Sequence, residues 1–216
     1  MGKGQIFIIS AVVVVVVLVL LKTSLNLTKV LESKRFLELG LERLEFQNAR
    51  REMGKIFQVS YNQTNISDNV NSFLSFSKDS FASRATTMNA IGLIAMFPNV
   101  SSNIDTPLNV TFYNYFDEDV SVLNLTFNNT KQTFTSVPKS SRLIANFTFR
   151  TTTDVNFSLT MNYTMSSLNG TENVTIPVEI GKAKFIGFFD LRISSSRLEQ
   201  RDKFTETVTL NLTRKV

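Results

Sequence analysis

The chain has 216 residues, of which 43% are hydrophobic, and its 23 basic and 18 acidic residues leave a formal net charge of +5. It contains no Cys and no His, which excludes disulfides, thiolate or imidazole metal sites, Cys nucleophiles and every mechanism that uses a His base. The basic residues are scattered, and nucleic-acid binding would require them on one face. We therefore expect no nucleic-acid partner.

The first predicted element is an uncharged apolar run from Gln5 to Leu21, QIFIISAVVVVVVLVLL. As a helix it covers about 25 Å, which is the short end of a membrane span. We predict a membrane anchor here, with lipid as the partner of residues 5–21. A cleaved secretory signal and a buried soluble helix are the alternatives. The first lacks a small-x-small cleavage site after Leu21, and the second lacks a polar face.

The residues Lys3-Gly4-Gln5, followed directly by this apolar run, resemble the start of archaeal type IV pilin-like proteins, the class III signal peptide group. The resemblance implies that a prepilin-type peptidase cuts between Gly4 and Gln5. It also implies that the apolar helix begins the mature chain and can pack into a filament core. Many members have Glu at the fifth mature position, where this chain has Ile9.

An amphipathic helix is predicted next, from about Ser24 to Gln58. Its apolar residues alternate spacings of three and four, as in a heptad stripe, and charged residues occupy the other faces. Two interpretations remain open: the stripe packs on the chain's own β domain, or it joins copies of the chain into a homo-oligomer. The stripe consists of Leu27, Val30, Leu37, Leu41 and Leu44.

A second helix is predicted to begin at Ser67 or Asp68, either of which can cap it, and to end before Pro98. Apolar residues recur at helical spacing through this segment. The part from Ile91 to Phe97 is apolar nearly all round and too short to span a membrane, so we expect it to be buried under a sheet.

From Pro107 onward, apolar and polar residues alternate, which predicts strands with one buried face. The clearest run is Val155 to Met165, followed by Val174 to Ile180. Seven or more short strands without intervening helices indicate an antiparallel sandwich. An immunoglobulin-like topology is compatible with this spacing, although its Cys and Trp landmarks are missing.

Thirteen of the twenty Asn residues begin an N-x-S/T triplet without a central Pro, where about four are expected by chance. On a strand, residues i and i+2 share a face, so acceptor and hydroxyl lie in solvent while x enters the core. An Asn- and Thr-rich polar face would produce the same triplets without selection. The candidate N-glycosylation sites are Asn26, Asn62, Asn65, Asn99, Asn109, Asn124, Asn128, Asn146, Asn156, Asn162, Asn169, Asn173 and Asn211.

The acidic residues do not indicate catalysis. Asp117, Glu118 and Asp119 are expected in a solvated hairpin turn, and Asp190, with apolar flanks, is expected to be neutralised by a partner such as Arg192. No catalytic, cofactor-binding or metal-ligating set is predicted, and we expect no enzyme.

These elements predict an α+β fold: a long N-terminal helix (membrane span plus amphipathic stalk), a second helix, then an antiparallel β-sandwich. The predicted domains are an anchor (1–22), a stalk helix (23–58), a linker and second helix (59–106) and an extracytoplasmic sandwich (107–216). We expect a single-pass, membrane-anchored, surface-exposed structural or interaction protein, a pilin-like subunit. The alternative is a monomeric signal-anchored binding module, such as an adhesin or a ligand-capturing domain.

Overall fold

A computed structural model describes residues 3–59, 63–196 and 199–210; side chains are described from residue 16 onward, except at 18, 35, 38, 39, 42, 58, 59, 63–65 and 210. The chain divides into two units, Met1–Glu45 and Phe46–Val216. The described residues form two helices and nine strands: α1 (Lys3–Val59), α2 (Gln63–Ala82), β1 (Thr87–Phe97), β2 (Thr106–Asn114), β3 (Val120–Phe127), β4 (Thr130–Val137), β5 (Ser141–Phe149), β6 (Val155–Thr164), β7 (Asn169–Val178), β8 (Ala183–Ser194) and β9 (Glu199–Leu210).

The strands form two antiparallel sheets within the second unit. Sheet 1 has the order β5-β2-β1-β8-β9, and sheet 2 has the order β4-β3-β6-β7. The first seven strands follow an immunoglobulin-like course, in which β1, β2 and β5 oppose β4, β3, β6 and β7. Strands β8 and β9 then extend sheet 1 beyond β1, so that β1 lies at its centre.

The central strands of sheet 1 are buried on both faces. One face packs on sheet 2 through Leu93, Phe112 and Phe188, and the other is covered by helical residues such as Phe57 and Leu74. Because both faces of β1 and β8 are covered, these strands read as continuous apolar runs instead of alternating ones.

Tyrosine hydroxyls fasten α2 to sheet 1. The hydroxyl of Tyr113 lies 2.9 Å from that of Ser67, and Tyr115 donates to the Asn71 carbonyl at 3.0 Å. Burial raises the pKa of Tyr113 to about 12. These bonds satisfy polar groups inside an apolar layer, where an unpaired hydroxyl would be costly.

The chain crosses from sheet 1 to sheet 2 after β2, and a buried amide holds the crossover. The Asn114 side chain is fully buried, and its Nδ2 lies 3.0 Å from the Glu118 carbonyl and 3.1 Å from the Val137 carbonyl. Asn114 Oδ1 accepts a hydrogen bond from the Phe116 amide at 3.2 Å. One side chain therefore ties together two loops at the end of the sandwich.

The predicted α+β fold class is wrong, because the structure is mainly antiparallel β. The expected long N-terminal helix, a membrane span followed by a stalk separate from the sheets, is also wrong. The last part of α1, from Phe46, belongs to the unit that contains the sheets, and Met53 and Phe57 are fully buried there. The second helix ends at Ala82, and Thr87–Phe97 forms central strand β1. A seven-residue apolar segment does not distinguish a buried helix from a strand covered on both faces.

The predicted transmembrane helix is also overturned. Within the described part of the chain, no helix is both long and apolar enough to cross a membrane. The side chains of residues 5–15 lie outside the described part of the chain, so lipid contact by residues 5–21 stays a prediction.

Candidate functional site

The first candidate site is an exposed apolar surface on α1, within the first unit. Of the sixteen large apolar side chains that are exposed among the described residues, thirteen lie between Val16 and Leu44. Phe36 is 79% exposed. We call residues 16–44 the apolar helix surface. An apolar surface of this extent is typical of a site that another molecule covers.

The heptad stripe lies on this surface. Its five members, Leu27 to Leu44, are 55–67% exposed. In the second unit, Phe46, Ala49, Met53 and Phe57 of the same helix are buried against sheet 1. The helix therefore uses its C-terminal part for the chain's own core, while the stripe remains uncovered.

The second candidate site is the solvent-facing side of sheet 2, which we call the outer face. Register aligns Thr133, Asn124, Asn162 and Thr171 in one row across its four strands. The Thr133 hydroxyl donates to Asn124 Oδ1 at 2.7 Å, and the Ser158 hydroxyl donates to Asn173 Oδ1. The outer face is thus an ordered array of amides and hydroxyls.

The thirteen predicted acceptors are distributed unevenly. Five lie on the outer face or its edge: Asn124, Asn156, Asn162, Asn169 and Asn173. Asn26 is exposed on α1, Asn99 and Asn128 are exposed in connections, and Asn146 is exposed on β5, while Asn109 on β2 is half-buried. Asn62 and Asn211, and the side chain of Asn65, lie outside the described residues.

Structure separates the acidic cluster into three unrelated contacts. Asp117 pairs with Lys78 at 2.9 Å, Glu118 accepts a hydrogen bond from the Ser167 amide at 3.2 Å, and Asp119 accepts one from the Lys139 amide at 2.8 Å. The predicted hairpin turn is wrong, since β2 and β3 belong to different sheets. Among the described residues, no group of three or more acidic side chains could hold a metal ion.

Asp190 is buried between the sheets, but its partner is Arg201 of β9 and not Arg192. Arg201 Nε donates to Asp190 Oδ1 at 2.8 Å, whereas Arg192 pairs with Glu199. Burial, followed by the charges of Asp190 and Glu172, raises the pKa of nearby Tyr163 to about 12. Sequence could not identify Arg201, because the pairing of β8 with β9 decides which side chains become neighbours. Asp190 and Arg201 form a charge pair beside the neutral phenol of Tyr163. This arrangement is typical of an interaction that stabilises the fold.

A groove of about 560 Å³ lies between the end of α1 and β9, and Arg50, Arg51, Lys55 and Glu206 contribute to its lining. Arg50 already pairs with Asp202 at 2.9 Å, and Lys55 pairs with Glu52 at 2.5 Å. Sequence reasoning did not anticipate this groove. Two of these four charged side chains are therefore already paired within the protein.

In the comparison with known proteins, no family model matches the chain. No curated protein matches it significantly either. The resemblance to type IV pilin-like proteins therefore gains no support. The processing candidates Gly4 and Gln5 lie in the part of α1 whose side chains are not described, and cleavage between them stays a prediction.

Proposed function

We propose that this chain is a structural or interaction protein that stands outside the cytoplasm and assembles with its own copies through the apolar helix surface. The observation that carries the proposal is the uneven exposure of large apolar side chains: of the sixteen that are exposed among the described residues, thirteen lie on residues 16–44. The described residues of the second unit form two hydrophobic cores of their own, and only three of the sixteen exposed side chains lie there.

A second copy is the occupant that best suits the stripe. The stripe has the a and d spacing that supports helix pairing. The a positions are Leu27, Lys34 and Leu41, and the d positions are Val30, Leu37 and Leu44. A polar residue at a single a position lowers stability but specifies register and the number of helices. Association of copies would therefore be selective in register. The thirteen acceptor triplets support exposure outside the cytoplasm.

The absence of Cys permits a direct test. Single replacements Leu37→Cys, Leu41→Cys and Leu44→Cys are made in the full chain, with Thr28→Cys and Glu32→Cys as exposed controls off the stripe. After mild oxidation, covalent dimers are expected at the three stripe positions and not at the controls, because a disulfide requires Cα atoms within about 7 Å. Non-reducing electrophoresis measures the dimer.

Two results would overturn the proposal: no dimer at any position, or equal dimer at all five. A non-covalent check uses Leu37→Glu with Leu41→Glu, which is expected to abolish the oligomer seen in sedimentation, since both carboxylates would be buried without partners. The matched control, Thr28→Glu with Lys29→Gln, changes the net charge by the same amount off the stripe and should leave the oligomer intact.

The alternative is a monomeric surface binding module. The ordered outer face favours it, because exposed amides and hydroxyls on a rigid sheet can form many hydrogen bonds with a polar ligand. Under this alternative all five Cys variants stay monomeric, so the same experiment separates the two functions.

A further inference from the structure

We propose that the outer face of sheet 2 is a glycan-bearing surface, on which Asn124, Asn156, Asn169 and Asn173 carry N-linked oligosaccharides while Asn162 and Asn109 stay unmodified. The proposal rests on the proposed exposure outside the cytoplasm. It goes beyond the triplet pattern, because the fold separates acceptors that the sequence treats as equal.

Five complete acceptor triplets share the outer face. In each, the Asn and the hydroxyl residue two positions later face outward; the middle side chain faces sheet 1 in four of the five, and the fifth middle residue is Gly170. Leu125, Tyr163 and Val174 are such middle residues, and each is at most 3% exposed. Across the four strands of sheet 2, all of which the structure describes, Lys131 is the one outward-facing charge. A neutral face rich in hydroxyls and amides has few groups that would oppose a sugar layer.

Two acceptors are held in an orientation suited to modification. Asn124 accepts a hydrogen bond from Thr133 and Asn173 accepts one from Ser158, in both cases through Oδ1. A glycan is attached at Nδ2, so both hydrogen bonds can persist in the modified protein. Each hydrogen bond also fixes the orientation of the Asn amide, with Nδ2 pointing away from the donor hydroxyl. The first sugar attached to Nδ2 would therefore project from the sheet in a fixed direction.

Asn162 is crowded by three other acceptors. It lies directly opposite Asn124, where Cβ atoms of neighbouring strands are about 5 Å apart. Thr160 pairs with Asn173 and Thr164 with Asn169, so these two acceptors lie diagonally across from Asn162, about 7–8 Å away. Sugars on the three neighbours would occupy the space above Asn162. Asn169 and Asn173 are four residues apart on one strand, about 13 Å, and can both be modified.

Asn109 provides the opposite case. Its triplet partner Thr111 is 0% exposed. Thr111 lies on the side of β2 that faces the helices, which is also the side of Tyr113, whose hydroxyl is hydrogen-bonded to Ser67 of α2. A glycosyltransferase that must reach the hydroxyl cannot do so in the folded domain. A glycan added at Asn109 beforehand would oppose docking of the helix layer.

The modification requires a sugar donor of the polyisoprenyl-phosphate-linked oligosaccharide class. The Asn Nδ2 attacks the anomeric carbon of the first sugar and forms a C–N bond, while the C–O bond to phosphate breaks. The phosphate leaves with the bonding electron pair, and a base takes one proton from the amide. The Asn is neither oxidised nor reduced, and its Oδ1 remains a hydrogen-bond acceptor.

The test is glycopeptide mass spectrometry of the full chain, exported by a host that modifies a co-expressed reporter triplet. We expect sugar on Asn124, Asn156, Asn169 and Asn173, and none on Asn162 or Asn109. In the triple variant Asn124→Gln, Asn169→Gln and Asn173→Gln, sugar should appear on Asn162, because its neighbours are removed. Asn109 should stay bare in that variant. The matched control Asn146→Gln, on β5 of the other sheet, should leave Asn162 unmodified.

A bare outer face beside a modified reporter would overturn the proposal, as would full occupancy of Asn162 in the unaltered chain. Sugar confined to Asn26 or Asn99 would do the same. Circular dichroism of the triple variant checks that the sheets persist, and Thr164→Ala in that background should remove the new sugar from Asn162 while Thr164→Ser keeps it. Cys crosslinking at Leu37 is read separately, so a failure of this proposal is distinguishable from a failure of assembly.

Discussion

The two sheets of the sandwich are built from similar strands but have different surroundings. The central strands of sheet 1 are covered by sheet 2 on one side and by helices on the other, so the central residues of β1 and β8 are buried without a break. Sheet 2 has one covered face, and buried residues alternate along β6 and β7. Alternation in sequence therefore reports how many faces of a strand are covered, and does not report whether the segment is a strand.

Removing a ring from the doubly covered sheet should have the largest effect. Phe189 lies 5.6 Å from the rings of both Phe57 and Phe204, and a Cβ on Gly92 would come within 2.9 Å of it. Phe189→Ala is expected to lower the free energy of unfolding by about 3–5 kcal/mol. Thr133→Ala, on the outer face, should change it by less than about 0.5 kcal/mol. Urea unfolding measures both, and equal losses would contradict the comparison.

Breaking the charge pair between the sheets should have the next largest effect. Arg201→Met leaves Asp190, which is 2% exposed, without its partner. Full burial of an unpaired charge would cost about 3–5 kcal/mol, and because Arg201 is 40% exposed we expect the lower part of that range. The double variant Arg201→Met with Asp190→Leu should recover much of the loss. A double variant no better than the single one would show that the pair is not what stabilises this position.

The smallest effect concerns Glu179, which lies between β7 of sheet 2 and β8 of sheet 1. Hydrogen bonds from Lys182 and Lys184 lower the pKa of Glu179 from 4.5 to about 2. A lowered pKa in the folded state gives stability that is present above the unfolded value and is lost as pH falls through about 2. Stability of the unaltered chain should therefore decline between pH 4.5 and 2, and Glu179→Gln should flatten that decline. Urea unfolding across this pH range measures the slope, with Thr133→Ala as a control; an unchanged slope in Glu179→Gln would contradict the assignment.

Several elements could be predicted because local pattern is sufficient for them. The strand from Val155 is read correctly, since its outer residues face water and its inner ones face the core. The presence of a helix in the α2 segment is also predicted, although its bounds are wrong: α2 runs from Gln63 to Ala82, and the predicted helix begins at Ser67 or Asp68 and continues toward Pro98. The error at Ile91–Phe97 has a clear cause: seven buried apolar residues satisfy both helical and extended patterns, and only the helices on one side and sheet 2 on the other define the segment as a central strand. Arg201 was missed because cross-strand neighbours depend on register.

The amino-acid sequence by itself determined the absence of thiol and imidazole chemistry, the alternating strands of sheet 2, the heptad stripe and the thirteen acceptor triplets, since each depends on residue type and spacing along the chain. Tertiary structure decided which triplets face solvent together, which strand fills the centre of sheet 1 and which cation neutralises Asp190. These depend on contacts between residues far apart in sequence, which form only when the strands pair and the sheets stack.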